Sequence, residues 1–267
     1  YIPPLTANDL QQGGGGSIPY DQHLYLSTPS TSDVTVKITI LSTGQEITYT
    51  DLRNDNPKVY QLTTDNPNQD QAMNGVLFVD KDGTGADTLN SGLVIDADCP
   101  VYASIRYNAG AQAGALVSKG DASLGTHFRT GMMTNGNQSE ENQIQNSTNS
   151  NNLNFISVMA TQDNTTVRFD LPNASSNLQI ANYNYNGNPI VKTLNRNESM
   201  IIAADAREPN NSGENRFALV GALVRSIDNS GTLIVEDPTK PIVVNVGSAS
   251  GTFMSVSYTH LRAHETL

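Results

Sequence analysis

The stretch Phe155–Leu171, FISVMATQDNTTVRFDL, decides the fold because a second version of it runs from Leu24 to Ile40 as LYLSTPSTSDVTVKITI. In each, an apolar run meets a short polar turn, Gln162–Asn164 or Ser30–Asp33, and then a strand of strict alternation. Val167, Phe169 and Leu171 oppose Arg168 and Asp170; Val34, Val36, Ile38 and Ile40 likewise oppose Thr35, Lys37 and Thr39. Successive side chains of an extended chain point to opposite faces, so a period of two marks a strand with one face in a core and the other toward solvent.

The echo continues downstream. Ser91–Ile95, SGLVI, returns as Ser230–Ile234, SGTLI, and Pro100–Ala103, PVYA, returns as Pro241–Val244, PIVV. The expectation is an all-β chain of two tandem antiparallel β-sandwich units that arose by internal duplication, the first over residues 1–120 and the second over 121–255. Tyr1–Leu5 reads as a short extended strand that Pro3 and Pro4 keep out of a sheet centre. Gly, Pro, Asn, Asp, Ser and Thr interrupt short apolar runs about every 8 to 12 residues, the rhythm of sandwiches. No segment carries a sustained helical stripe, and Phe217–Val224, Leu178–Ala181 and Thr232–Val235 all read as strands. Gly136–Asn152, GNQSEENQIQNSTNSNN, reads as a long surface loop.

The net charge of −11 is spread over loops, and 15 Lys and Arg with no basic stripe leave no footprint for phosphates, so nucleic acid is excluded as a partner. No apolar run approaches the roughly 18 residues of a membrane span, so no membrane insertion by this stretch of chain is expected. The single cysteine, Cys99, excludes an intrachain disulfide. It reads as a small, buried or half-buried strand residue with no activating base beside it.

Candidate sites are few. Asp80, Asp82 and Asp87 with Gly83 and Gly85 resemble an oxygen-rich cation loop, but they lack an EF-hand's closing Glu, and a solvated turn is the preferred reading over calcium. Tyr183 and Tyr185, before Asn186-Gly187, fit an edge strand bearing two rings on one face, with a sugar-stacking platform as the alternative. His23 and His127 sit in strand-like runs, and no nucleophile elbow accompanies them. Glu140 with Glu141, and Glu236 with Asp237, lie in loops or at strand ends with nothing apolar to raise a pKa. Asn-x-Ser/Thr occurs at Asn137, Asn146, Asn164, Asn173, Asn197 and Asn210, as an Asn- and Ser-rich chain yields by chance. No catalytic, cofactor-binding or metal-ligating residue is assigned. His260 and His264, four apart, have Glu265 outside the pair, unlike the zinc-protease motif. They lie in Tyr258–Leu267, YTHLRAHETL, which resembles a tail found on unrelated translated metagenomic fragments; residues 256–267 are therefore expected to be foreign to the fold.

Three segments carry a family resemblance: Ser123–Arg129, SLGTHFR; Ala160–Val167, ATQDNTTV; and Lys240–Gly247, KPIVVNVG. They resemble the IgGFc-binding protein N-terminal domain family, and the likeness covers most of Tyr1–Gly251. YIPPL at the start, and Gly221–Val224 followed by Lys240-Pro241-Ile242, are similar to its bacterial branch in type IX-secreted surface proteins of gliding bacteria. The resemblance implies extracellular display at a bacterial cell surface, adhesion to a protein or glycan ligand and neighbouring domains in a longer parent chain. The missing activated nucleophile, the missing metal-ligand cluster and carboxylates confined to loops point to a binding domain with no enzymatic activity or cofactor. The resemblance transfers no binding residue and does not imply that immunoglobulin is the ligand. A carbohydrate-binding module is the alternative reading, with an enzyme behind both.

Overall fold

The computed structural model describes residues 1–7, 20–63, 76–80, 85, 87–109, 112–132, 135, 136, 144, 145, 153–174, 178, 180, 183–205, 217–228 and 234–249. Among them there is no α-helix, only a single 3-10 turn at Gly120–Ser123 and strands throughout. In the first half these are β1 (Leu5–Ala7), β2 (Tyr20–Ser27), β3 (Val34–Ile40), β4 (Gln45–Leu52), β5 (Lys58–Gln61), β6 (Phe78–Asp80), β7 (Leu93–Ala97), β8 (Tyr102–Ala109) and β9 (Gln112–Ser118). The second half holds β10 (His127–Arg129), β11 (Asn135–Gly136), β12 (Ile144–Gln145), β13 (Leu153–Ala160), β14 (Thr165–Asp170) and β15 (Ile190–Leu194). It ends with β16 (Ser199–Asp205), β17 (Leu223–Asp228), β18 (Val235–Glu236) and β19 (Ile242–Ala249). No helix among the described residues is long and apolar enough to cross a membrane.

All strands but β1, β6, β11 and β12 form two pairs of antiparallel sheets. In the first pair, β4-β3-β7 faces β5-β2-β8-β9; in the second, β15-β14-β17-β10, with β18 on β17, faces β16-β13-β19. Val34, Val36, Ile38 and Ile40 are buried against Leu24, Leu26, Ala103 and Ile105, as the alternation of β3 requires. Thr165, Val167, Phe169 and Leu171 are buried in the second pair with Ile156, Val158 and Ala160. The β3–β4 hairpin closes through a turn in which Gly44, at φ 70, donates its N–H to the Ile40 carbonyl, a left-handed conformation that suits glycine.

Strand order repeats between the halves. β5-β2-β8 matches β16-β13-β19, and β4-β3-β7 matches β15-β14-β17. Two details of the sequence echo are corrected. Of SGTLI at 230–234, the expected counterpart of β7, residues 230–233 lie outside the described residues; the place beside β14 that matches β7 beside β3 belongs to β17, with Phe169 in register with Val224. In addition, Phe155 does not play the part of Leu24. Leu24 points into its own sandwich, whereas Phe155 points out of the second sandwich and joins the first core, leaving Ile156 as Leu24's equivalent. A one-residue shift in a strand exchanges its faces, and the two apolar runs differ by that shift.

The seam between the halves is apolar. Phe155, Ile201 and Ala203, on the outer face of β16-β13-β19, pack into the first core with Ile2, Leu5 and Phe78. β1, paired in parallel with β6, lies between the sandwiches and contacts β13, β16 and β19. Leu89 and Ser199 exchange backbone hydrogen bonds across it at 2.8 and 2.9 Å. Gly92, at φ 107, sits where a Cβ would come within 2.5 Å of the Ile2 carbonyl oxygen and 2.7 Å of Met159 Cε, so only glycine allows this approach.

Other local expectations change. Phe217–Gly221 is a turn, and the strand begins at Leu223. Gly221 has φ 72, and the turn's carbonyls are satisfied by Thr130 Oγ1 donating to Leu219 and Asn173 Nδ2 donating to Val220, which lets Ala218, Leu219 and Ala222 be buried without a ladder. Of Leu178–Ala181, Ile180 makes only isolated bridges, to Tyr183 and Ala204. Of Thr232–Val235, residues 232 and 233 lie outside the described residues and Val235 begins β18. Within the expected loop 136–152, β11 and β12 pair in parallel; the other residues of that stretch lie outside the described set.

Candidate functional site

The three resemblance segments meet at one end of the second sandwich. Ala160–Val167 turns from β13 in one sheet to β14 in the other, with Asn164 at φ 54, a left-handed position that asparagine tolerates. Thr161 Oγ1 donates to the Pro241 carbonyl at 2.5 Å, and Lys240 Nζ donates to the Asn164 carbonyl at 2.7 Å, tying the turn to the start of β19. Gly125 and Ile242 exchange backbone hydrogen bonds at 2.8 and 3.2 Å, which adds the segment leading into β10. A Cβ at Gly125 would fall 2.9 Å from the Phe128 ring. These residues hold strands in register; their hydrogen bonds are spent inside the fold.

The candidate surface lies on the outer face of β15-β14-β17-β10. Alternation that buries Val167 and Phe169 turns Arg168 and Asp170 outward. Arg168 is in register with Arg225 on one side and Val191 on the other, and Arg225 with His127. Arg168 reaches both Asp170 oxygens through Nε at 3.0 Å and one again through a terminal nitrogen at 2.7 Å, while Arg225 donates to the second at 2.8 Å. Burial works to raise the Asp170 pKa, but hydrogen bonds from Arg168 and Arg225, and their charges, outweigh it and hold the carboxyl below its ordinary value. Two guanidiniums share one carboxylate, so the cluster keeps a net positive charge on an acidic chain, and Arg225 Nε is buried without a partner.

Around this cluster stand exposed groups. His127 Nδ1 donates to Glu236 Oε1 at 2.6 Å, and Thr126 Oγ1 donates to Glu236 Oε2 at 3.2 Å, so a histidine and a carboxylate distant in sequence are clasped between β10 and β18. Arg129 donates to the Gly221 carbonyl at 3.3 Å, and Val191 is exposed beside Arg168. Tyr185 packs near Asp170; burial, then Tyr183, then Asp170 push its phenol pKa upward. The face thus offers guanidiniums, a histidine–carboxylate pair and an apolar side chain for polar, charge-guided contact.

Other candidates are placed differently. Cys99 is exposed in the bend between β7 and β8, not in a strand. Its neighbours hold that bend: Asp98 accepts from the Thr35 N–H and the Pro100 carbonyl accepts from Thr28, which leaves the thiol outside. Tyr183 and Tyr185 form no edge strand or ring platform; both are half-buried against the second core, and Gly187 at φ 82 begins the turn to β15. His23, in β2, hydrogen-bonds Asp21. Asp87 is exposed, Asp80 ends β6, and Asp82 lies outside the described residues, among which no group of three or more His, Cys, Asp or Glu is placed to hold a metal. Glu140, Glu141, His260, His264, Asn137, Asn146 and Asn210 also lie outside them. Asn164 and Asn197 stand at φ 54 and 70, which gives both a turn-forming reason to be asparagine. Sequence alone does not reveal the Arg168–Asp170–Arg225 cluster because Arg225 falls just beyond the strand expected over Phe217–Val224; the outward Arg and Asp of β14 are the visible half of it.

The sequence profile of the IgGFc binding protein family matches residues 113–262, which include all of the face just described. No curated protein and no solved structure matches the chain. With the three clasped segments inside a match that spans more than half its length, the chain belongs to the IgGFc binding protein family.

Proposed function

We propose that the chain is a non-enzymatic extracellular binding and adhesion domain, displayed by a larger bacterial surface protein after type IX secretion, and that its ligand is an extracellular protein. The observation that carries this reading is the family match over 113–262 together with the Arg168–Arg225 face inside it. Half-buried guanidiniums held by one carboxylate are already positioned, so little side-chain freedom is lost when a partner docks. Single-site affinity would be modest and amplified by many copies on one surface, by a factor on the order of a hundred or more. The similarity of YIPPL and of the Gly221–Val224 and Lys240–Ile242 segments to the bacterial branch supports the bacterial setting. A duplicated pair of units over 1–120 and 121–255 fits the repeated strand order. The family match runs past 255 to 262, so removal of residues 256–267 tests whether that end is foreign: an unchanged melting temperature supports it and a marked drop opposes it.

Beads carrying the chain should adhere to extracellular proteins, immunoglobulin Fc included in the panel, in the presence of a chelator. Arg129→Glu with Val191→Glu, both on exposed positions, should weaken capture tenfold or more at an unchanged melting temperature. Capture on a glycan array with no protein ligand would favour the carbohydrate-binding alternative. Turnover of a substrate, abolished by one histidine or carboxylate substitution, would overturn the reading.

A further inference from the structure

The outer face of β5-β2-β8-β9 is the uncovered counterpart of the seam. Its residues stand in rows across four strands: Val59, Tyr25, Ser104 and Val117 in one, and Gln61, His23, Arg106 and Ala115 in the next, with Ser27 and Tyr102 on the other side. Tyr25 is 39%, Val59 50%, Val117 54% and Tyr102 66% exposed, an unusual gathering of large apolar side chains on one sheet face. The same face of the matching sheet in the second sandwich buries Phe155, Ile201 and Ala203 against another sandwich. This face also runs into that interface, because Val117 lines one cleft with Ile2, Val243 and Asn245 at the seam.

We propose that this face is a docking surface for a second copy of the chain, packed sheet to sheet about a two-fold axis. An isologous contact needs a self-complementary patch. With the axis along the Val59–Tyr25–Ser104–Val117 row, that row packs on itself, and the rows on either side exchange places. Arg106 of each copy then lies over Tyr102 of the other. Arg106 already sits 5.5 Å from the Tyr25 ring centroid, so its charge is adapted to aromatic surroundings. In a chain of net charge −11, this face presents Arg106 and His23, with Asp21 at its margin bonded to His23, so repulsion between copies is low where they meet. Two twisted sheets stacked face to face about 10 Å apart, with interleaved side chains, give the usual aligned packing. The contact uses the first sandwich and leaves the charged face of the second free, and it does not depend on the proposed adhesive role.

Sedimentation velocity of the whole chain from about 1 to 200 µM decides it. The expected result is a concentration-dependent dimer whose dissociation constant rises tenfold or more in Tyr25→Lys and in Val59→Lys. Tyr102→Ser should give a smaller rise, and Val191→Lys, on the other sandwich, none. Melting temperatures identify any variant that fails to fold, in which case Val117→Lys replaces it. A chain that stays monomeric throughout overturns the proposal, as does a dimer indifferent to Tyr25 and Val59 or one broken by Val191→Lys. So does a monomer that captures a glycan or another protein through Tyr25.

Discussion

β2 and β13 occupy the same place in the two sandwiches and are buried differently. Along β2, Gln22, Leu24 and Leu26 are buried while Tyr25 and Ser27 are exposed; along β13, every residue from Asn154 to Ala160 is buried. The fold leaves each such sheet with an outer face, and what distinguishes the two is whether something covers it. In the second sandwich the first does so, through β1, β6 and the approach at Gly92. Covering that face turns a half-buried strand into a core strand, which is why FISVMA is more continuously apolar than LYLST. The chain is thus two sandwiches in strand order and one structure in its packing.

The largest effect should come from Phe155→Ala, which empties a fully buried site in the seam. Removing a buried phenylalanine costs about 3–5 kcal/mol through lost transfer energy and the cavity left. Because Phe155 is carried by a strand of the second sandwich and packs in the first core, calorimetry should show one transition moved to lower temperature. Two transitions, of which a single one moves, would separate the halves.

That coupling explains what the sequence made legible and what it did not. The strict alternation of Val34–Ile40 and Thr165–Leu171 placed β3 and β14 and their core faces, because period two is a local property of the chain. Continuous apolar runs carry no such register. FISVMA cannot state which side serves its own sandwich, so the shift between Leu24 and Phe155 was invisible, and FALVGALV, Phe217–Val224, hid a buried turn ahead of a strand. The charged face was half legible for the same reason: Arg168 and Asp170 follow from alternation, whereas Arg225 and the His127–Glu236 contact depend on pairing between distant segments. Cys99 was misplaced because hydrophobic tendency was weighed without the hydrogen bonds that Asp98 and Pro100 make on either side of it.

Gly92→Ala probes the seam without removing a side chain. At φ 107, with the Ile2 carbonyl 2.5 Å from the new carbon, it must displace either the Ile2 segment ahead of β1 or the start of β7, at a cost of about 2–3 kcal/mol. Gly44→Ala, at φ 70 with open space around it, should cost only the local conformational penalty of about 1 kcal/mol. Denaturant titrations that place the two variants at equal stability would mean that the contact at Gly92 carries no weight.

The outward positions of β3 and β14 differ as well. Lys37 stands where Arg168 does, but its partner Glu46 is exposed, 3.1 Å away, and Lys37→Met should change stability by less than about 0.5 kcal/mol. Asp170→Asn should cost about 1–2 kcal/mol at neutral pH, a figure already reduced for partial exposure, because it weakens charge-assisted bonds to two arginines. Since the folded pKa of Asp170 is depressed, its contribution is fully present above the ordinary aspartate value of about 3.9 and disappears as the pH falls through the lower folded value. The gap between wild type and variant should therefore narrow in acid below about pH 4. A gap constant down to pH 2 would mean the carboxylate's charge is not what stabilises the cluster.

A modest pair of effects tests the likeness of the two halves most directly. Thr28 Oγ1 donates to the carbonyl of Pro100 at 2.8 Å, and Thr161 Oγ1 to that of Pro241 at 2.5 Å. In each sandwich the threonine follows the first inner strand and the proline precedes the strand paired with it, so one hydrogen bond holds the same corner twice. Replacement by valine keeps the branched shape and leaves the acceptor unpaired by that hydroxyl, which costs about 1 kcal/mol where the group stays dry. Thr28→Val and Thr161→Val should therefore lower stability by similar amounts, and their effects should add in the double variant because the corners are separate. A loss confined to Thr161→Val would show that only the corner inside the family match bears on stability, and that the resemblance between the halves stops at strand order.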